Sequence, residues 1–299
     1  MTGVLCICKP AEITSFGVVA KVRGITRERK AGHTGTLDPM ATGVLPVLLG
    51  GATRFLDYLP DSNKRYLATF RLGETTDTQD CTGTVLTRRP VTADQAAVEA
   101  ALSAFRGEIM QVPPMYSAVS VDGQRLYELA RQGKTVERAA RPVTVLDLRL
   151  TAAEEENNTY TIDVTCTKGT YIRTLIHDLG QALGCGAVMT ALQRTSAMGL
   201  ALADCVTLEQ LQALRDSGGD FAPCLHPVDE LLAAYPALQV TAPQARRFGN
   251  GGVLDAVRLH RQLTERRYRV YDPAGVFLGL GSPSADGSQL QVVRVMVMR

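Results

Sequence analysis

Residues 32–43 read Gly-His-Thr-Gly-Thr-Leu-Asp-Pro-Met-Ala-Thr-Gly and run straight into an apolar stretch, Val44 to Leu49. Three glycines and a proline in so short a string predict a turn-rich loop, because glycine serves where a chain adopts unusual dihedrals or approaches a ligand closely. One carboxylate, Asp38, is thereby fixed in a narrowly specified backbone setting directly ahead of a buried strand. Such a loop can cradle phosphate, but no Lys-Ser/Thr follows the glycines, so a P-loop reading fails. A bare Leu-Asp-Pro is usually an ordinary turn; the full string argues for a site.

The elements around this loop follow from periodicity and capping. Thr14 is placed to cap a helix carrying Val18, Val19 and Val22 on one side and ending in the basic run Arg27-Glu28-Arg29-Lys30. The run 44–49 predicts a buried strand, with Pro46 at odds with a central position. Residues 66–72 alternate Tyr66, Ala68, Phe70 and Leu72 against Leu67, Thr69 and Arg71, the period of a strand with one covered face. Thr92 and Gln95 read as a capping box for a helix over 96–105. Strands are expected over 143–150 and 159–167, a helix over 171–183 stopped by Gly184, and a helix over 206–214 capped by Thr207 and Gln210. Strands and helices mix without strict alternation, so the fold class is α+β around a mixed sheet.

Residues 115–142 are polar, basic and punctuated by glycine, with an Asp122-Gly123 turn ahead of a short helix over 124–132. A stretch of that length between elements is read as an insertion with a function. A boundary near 234–239 leads into a helix over 241–248, the turn Gly249-Asn250-Gly251-Gly252, and strands near 267–272, 275–280 and 290–297. Short strands with glycine turns predict a small barrel-like module, with 283–288 as an irregular connection.

A net charge of +2 does not by itself indicate nucleic acid, but its distribution does. Residues 236–299 hold nine arginines against four acids, and the remainder holds 23 basic against 26 acidic residues. A surplus confined to the last fifth of the chain suits a polyanionic RNA backbone. The seven scattered cysteines, with no C-x-x-C pair, do not form a disulfide framework, and the four histidines make no zinc pattern with them. Cys6 and Cys8 are expected to line one face of a strand. With no signal-peptide core and no apolar run of membrane length, the expectation is a reduced, cytoplasmic protein without membrane or metal.

The 32–43 string closely resembles the signature of the TruB-type pseudouridine synthases. Four further blocks occur in that family's order: Leu5-Cys6-Ile7-Cys8-Lys9-Pro10 with Thr14-Ser15; Lys64-Arg65-Tyr66 with Leu72-Gly73 and Thr76-Asp77-Thr78-Gln79-Asp80; Lys168-Gly169-Thr170-Tyr171-Ile172-Arg173-Thr174-Leu175; and Leu192-Gln193-Arg194. The resemblance spans roughly residues 3–235. It implies a pseudouridine synthase fold, with a mixed, mainly antiparallel sheet flanked by helices and a thumb-like lobe at about 115–142. Residues 1–235 would form the catalytic domain and 236–299 a PUA-like RNA-binding domain. Thr36 stands where the family pattern has a small apolar residue, and Ser120-Val121-Asp122 lacks the basic residue often seen beside that turn.

The implied activity is conversion of uridine to pseudouridine at position 55 in the T-loop of tRNA, by a stand-alone enzyme, monomeric, with no cofactor and no protein partner. The guide-RNA-dependent dyskerin type shares these motifs and is the near alternative; a non-catalytic RNA-folding factor on the same scaffold is the more distant one. A base in a folded loop has to be extruded at a cost of about a few kcal/mol, and stacking on an aromatic ring returns about 1–3 kcal/mol. The chemistry therefore asks for a nucleophile, a stacking platform, a charge partner and a wedge. Asp38 is the candidate nucleophile, with attack at C1′, attack at C6 and removal of a ribose proton all left open. Arg173 suits the charge partner, since a planar guanidinium pairs with both oxygens of a carboxylate. The resemblance assigns Tyr66 to stacking on the flipped uracil with a hydroxyl free for proton transfer. It makes Tyr171 and Leu192 walls of the base pocket, sends His33 into the space the uridine leaves, and gives Asp80, Lys9 and Lys64 supporting roles. Because the candidate catalytic residues all precede position 200, loss of 240–299 is expected to weaken RNA binding and spare the chemistry.

Overall fold

The computed structural model describes residues 1–121 and 123–296. The Asp122 half of the expected Asp122-Gly123 turn and the last residue of the 290–297 strand lie outside them. A ten-stranded sheet dominates. Its main path runs Leu225–His226, Gly3–Lys9, Thr42–Leu49, Ala187–Ala197, Lys64–Leu72, Thr159–Cys166, Arg141–Glu154, Gly107–Gln111. Ala31–His33 pairs on Thr42–Leu49, and Leu200–Ala201 on Ala187–Ala197. Within this sheet the pairing of Ala187–Ala197 with Thr42–Leu49 is parallel and every other pairing is antiparallel, the expected mixed but mainly antiparallel arrangement.

Pro46 sits inside this sheet without breaking it. Its carbonyl accepts from the Thr34 backbone N–H, so the edge that lacks a donor faces the point where Ala31–His33 ends and before Ala187–Ala197 begins. No ladder bond is lost there. The alternation read in 66–72 holds: Tyr66, Ala68, Phe70 and Leu72 are buried, while Arg65, Leu67 and Arg71 face solvent.

The helix Ser15–Thr26 is capped by Thr14, whose hydroxyl accepts from the Gly17 N–H, and it buries Val18, Val19 and Val22 against the sheet. Thr207 and Gln210 form the expected capping box on Leu208–Asp216. The cap at the second helix is corrected: Asp94, not Thr92, accepts from Ala97 N–H, and the helix spans Gln95–Leu102 before a 3-10 turn, Ser103–Phe105. Asp94 wins because a carboxylate immediately before the first turn reaches the free N–H groups directly. In the 115–142 insertion, a two-residue hairpin (Ser120–Val121 with Gln124–Arg125) precedes a helix shorter than expected, Leu126–Arg131. Gly184, at φ +78°, closes the helix Ile172–Ala182.

Residues 237–295 build a second, curled five-stranded sheet in the order Ala237–Gln239, Tyr268–Tyr271, Phe277–Pro283, Gln289–Val295, Leu254–Asp255. Leu238, Val240, Phe248, Leu254, Tyr268, Val270 and Leu290 fill its own core. Phe277 and Leu280 instead join Val4, Cys6, Val44, Leu48 and Phe55 of the large sheet in a shared cluster.

Candidate active site

Asp38 emerges from a loop held on three sides. Beneath it, the fully buried Lys9 donates to the carbonyls of Pro10 (2.9 Å), Pro39 (3.0 Å) and Ala41 (2.6 Å). Burial pulls the Lys9 ammonium down to about 8, with Asp38 opposing the shift. At one flank the buried Ser15 hydroxyl donates to Leu37 O (3.0 Å) and accepts from Leu37 N–H (2.8 Å). At the other, Arg194, wholly enclosed, donates from Nε to Val44 O (2.7 Å) and from Nη2 to Gly35 O (3.3 Å). Gly43, at φ +98°, lies so near Arg194 that a Cβ would stand 2.2 Å from the Arg194 carbonyl oxygen. Side chains of two motif blocks and a glycine of the loop are thus locked to one another.

Arg173, at the start of the helix Ile172–Ala182 and 5% exposed, meets Asp38 with both edges of its fork: Nε to Oδ2 at 2.9 Å and Nη2 to Oδ1 at 3.1 Å. Its remaining donors reach Thr78 O and Tyr116 O, both at 2.9 Å, and Asp80 lies 3.7 Å away. Burial lifts the Asp38 carboxyl above the ordinary carboxylate range, with Arg173 opposing and the neighbouring Asp80 assisting that shift. The Asp38 side chain retains 31% exposure, so it faces the cleft while protein closes around it.

Asp80 is buried and turned toward its own loop. Its Oδ1 accepts from the hydroxyls of Thr78 (2.8 Å) and Thr82 (2.6 Å) and from the Thr82 N–H (3.0 Å). This helps hold Thr78, to whose carbonyl Arg173 donates, so Asp80 acts on the guanidinium through that residue as well as directly across 3.7 Å.

The cleft above Asp38 encloses about 920 Å³, and His33, Lys64, Tyr66, Tyr171 and Leu192 line it with Asp38, Asp80 and Arg173. Lys9 is the one expected site residue that does not line it; it lies under the loop. Tyr66 is 7% exposed, and burial pushes its phenol up to about 12, which keeps the hydroxyl protonated. The register explains how Tyr66 and Leu192 share the cleft: Ala68 pairs with Leu192 and Tyr66 with Arg194 on adjacent strands, placing Tyr66 and Leu192 diagonally on one face. Burial and the charge of Arg194 lower the His33 imidazole, so it is neutral near physiological pH, and its Nδ1 is buried without a partner. Burial lowers the Lys64 ammonium as well.

Tyr171, expected as the first helical residue, is the N-cap of Ile172–Ala182 instead. The buried amide of Gln111 accepts from its N–H (3.0 Å) and donates to its carbonyl (3.3 Å), which aims the ring at the cleft. Sequence reasoning missed Gln111, Ser15 and Arg194 as site-building residues. Ser15 and Arg194 stood inside recognised blocks, whereas Gln111, on an edge strand, carried no signal. Among the described residues, no cluster of three or more His, Cys, Asp or Glu side chains is arranged to hold a metal ion, and no helix is long and apolar enough to cross a membrane. All seven cysteines are free.

The family model described as TruB family pseudouridylate synthase (N terminal domain) matches residues 23–172, and that of the tRNA pseudouridylate synthase B C-terminal domain matches 173–233. A tRNA pseudouridine synthase B of Ectopseudomonas mendocina (strain ymp) is 48% identical over 95% of this chain and 92% of its own length. The chain belongs to the TruB family of pseudouridine synthases. A protein of the same name from Pseudomonas fluorescens (strain Pf0-1) is 47% identical over 96% of this chain and 93% of its own. In fold the TruB chain is similar to a chain in a solved H/ACA ribonucleoprotein bound to a substrate RNA containing 2′-deoxyuridine. The TM-score is 0.74 at 24% identity, covering 99% of this chain and 86% of that one. An isomerase that turns uridine into pseudouridine is accordingly the enzyme class of this protein.

Proposed function

We propose that this enzyme isomerises the uridine at position 55 in the T-loop of tRNA, with Asp38 as nucleophile, and that it needs neither guide RNA nor partner protein. The observation that carries the reading is the two-pronged Arg173–Asp38 pair opening into a cleft whose buried wall is Tyr66. Naming tRNA rests on the relatives' names; naming the T-loop rests on the motif resemblance.

In this reading the uridine leaves its stack and its ring lies on Tyr66, between Leu192 and Tyr171. The N1–C1′ bond breaks, the base turns, and a C5–C1′ bond forms, with the bond that Asp38 makes to the substrate broken again before release; C5 loses its proton and N1 gains one. Atoms and electrons balance within the nucleotide, so the chemistry calls on no redox cofactor. Asp38 acts in its ionised form, which Arg173 favours against the pull of burial, and Arg173 holds the carboxylate plane so that one oxygen is presented to the substrate. His33, neutral and partnerless at Nδ1, takes the space the uridine vacates, and a neutral imidazole stacks there without bringing an extra charge. Lys9, Lys64 and Asp80 support the loop, the pocket rim and Arg173. Residues 1–235 carry the chemistry and 236–299 add RNA contacts, with the 115–142 lobe closing over the arm.

The test is release of tritium from a bare T-arm hairpin bearing 5-tritiated uridine at position 55, with the protein monomeric and alone. Release in step with pseudouridine, detected after carbodiimide labelling, is expected. Release only when a guide RNA is supplied would overturn the stand-alone reading.

A further inference from the structure

Phe16 is 68% exposed and lines the same cleft as Asp38. The other phenylalanines are buried or half-buried, so an exposed one at this point calls for a partner. Its backbone, moreover, is among the best-anchored stretches near the site. Thr14 caps the helix through Gly17 N–H (2.9 Å), and Ser15 Oγ holds both backbone groups of Leu37, the residue before Asp38. The space beside Gly17 is filled by Ile13, whose Cγ1 would stand 2.8 Å from an added Cβ. Ser15, Val18, Val19 and Val22 turn inward from this helix, which leaves Phe16 on the opposite side with its ring free. On the lobe of residues 115–142, Tyr127 and Arg131 line the same cleft, the guanidinium 5.6 Å from the Tyr127 ring centroid.

We infer that Phe16 is a substrate-contacting residue: an unpaired nucleobase next to the flipped uridine stacks on its ring. This deepens, and rests on, the RNA reading above. A ring on a fixed backbone, with only its own rotamers to settle, gives contact area at small entropic cost, and every base offers a π-face. The anchor to Leu37 sets the distance between that stacked base and Asp38, so the contact measures the substrate's register and takes no part in the chemistry.

The test uses the full chain and a T-arm hairpin. Phe16→Ala is expected to raise KM about five- to 150-fold, the span of one lost base–aromatic stack, with single-turnover kcat at saturating RNA within about threefold of wild type. Phe16→Trp is expected to keep KM near wild type, and Phe16→Leu to fall between the two. A 2-aminopurine placed beside the target is expected to be quenched on binding wild type and not on binding Phe16→Ala. Because the side chain is exposed, the melting temperature should not move. A Phe16→Ala enzyme with wild-type KM and quenching overturns the inference while wild-type tritium release leaves the proposed function standing. A fall in kcat at unchanged KM also overturns it, since that would place Phe16 in the support of Asp38. Failure of the wild type itself to act on the hairpin would instead strike the reading on which the inference rests.

Discussion

The two halves of the large sheet are built differently. Strands Gly3–Lys9 and Thr42–Leu49 are almost wholly buried, and their successive residues enter different cores: Leu5, Ile7, Leu45 and Val47 face the helices, while Val4, Cys6, Val44 and Leu48 face Phe55, Phe277 and Leu280. Strands Lys64–Leu72 and Thr159–Cys166 bury one face and wet the other, where Arg65 pairs with Asp163 at 2.5 Å. A strand covered on both faces reads as a continuous apolar run and one covered on a single face alternates. Here the second cover comes from Phe55, from Val228, Leu231 and Leu232, and from Phe277 and Leu280 of the C-terminal sheet. The loop of Asp38 springs from the doubly covered half and Tyr66 from the half-wet one, with Arg194 joining them.

The same contact engages part of the basic C-terminal segment. Arg267 lies over the rings of Tyr58 (5.0 Å) and Tyr235 (5.6 Å), and Arg294 donates to the Tyr58 hydroxyl at 2.9 Å. Arg269 donates to the carbonyls of Tyr235 (2.8 Å) and Asp229 (3.1 Å). These arginines are engaged in docking, so the net charge of the segment overstates what is free for RNA. Deleting 240–299 is therefore expected to uncover Val4, Val44, Leu48 and Phe55 and cost the catalytic half its fold, contrary to the expectation from charge alone. Circular dichroism and limited proteolysis decide it; a truncation that melts with full-length cooperativity would show that the large sheet stands without its C-terminal cover.

Next in size is the pair at the site. Arg173→Lys should lose nearly as much kcat as Arg173→Ala, roughly 100-fold or more, the scale of a lost transition-state donor. Lysine cannot span both Asp38 oxygens while also reaching Thr78 O and Tyr116 O. Near-normal turnover by the lysine variant would show that charge suffices without the fork.

Two substitutions sharpen the contrast between the halves. Phe55→Ala, in the shared core and 5.4 Å from the Phe277 ring, should destabilise by about 3–5 kcal/mol. Leu67→Ser, on the wet face, should change stability by no more than about 0.5 kcal/mol. Urea titrations of both variants measure the difference, and equal effects would mean the second face is not a core.

The smallest expected effect concerns pH. Burial holds the Asp38 carboxyl above its ordinary range, and the proposed mechanism uses the ionised form. Activity is thus lost as pH falls through that raised value, and the acid limb of kcat/KM lies above the ordinary aspartate value of about 3.9. A limb at or below that value would mean Arg173 outweighs burial.

Much of this was legible in the sequence. Alternation marked Lys64–Leu72, the capping box on Leu208–Asp216 was plain, and the motif blocks named the residues the fold gathers in one cleft. What escaped notice depended on distance in space. Thr92 and Gln95 spell a capping box, and only the fold shows Asp94 at the cap. Gln111 holds Tyr171 from sixty positions away, and nothing in an arginine's sequence setting separates Arg267, spent on Tyr58 and Tyr235, from one offered to RNA.

On the proposed mechanism the Asp38 carboxylate, held by Arg173, does the chemistry. Single-turnover tritium release from the T-arm hairpin at saturating enzyme, comparing wild type with Asp38→Asn, tests it most directly. The amide keeps the size of the side chain and leaves the phosphate contacts alone, so RNA affinity should stay within a few-fold while release disappears. Substantial release by the pure Asp38→Asn protein would contradict the account.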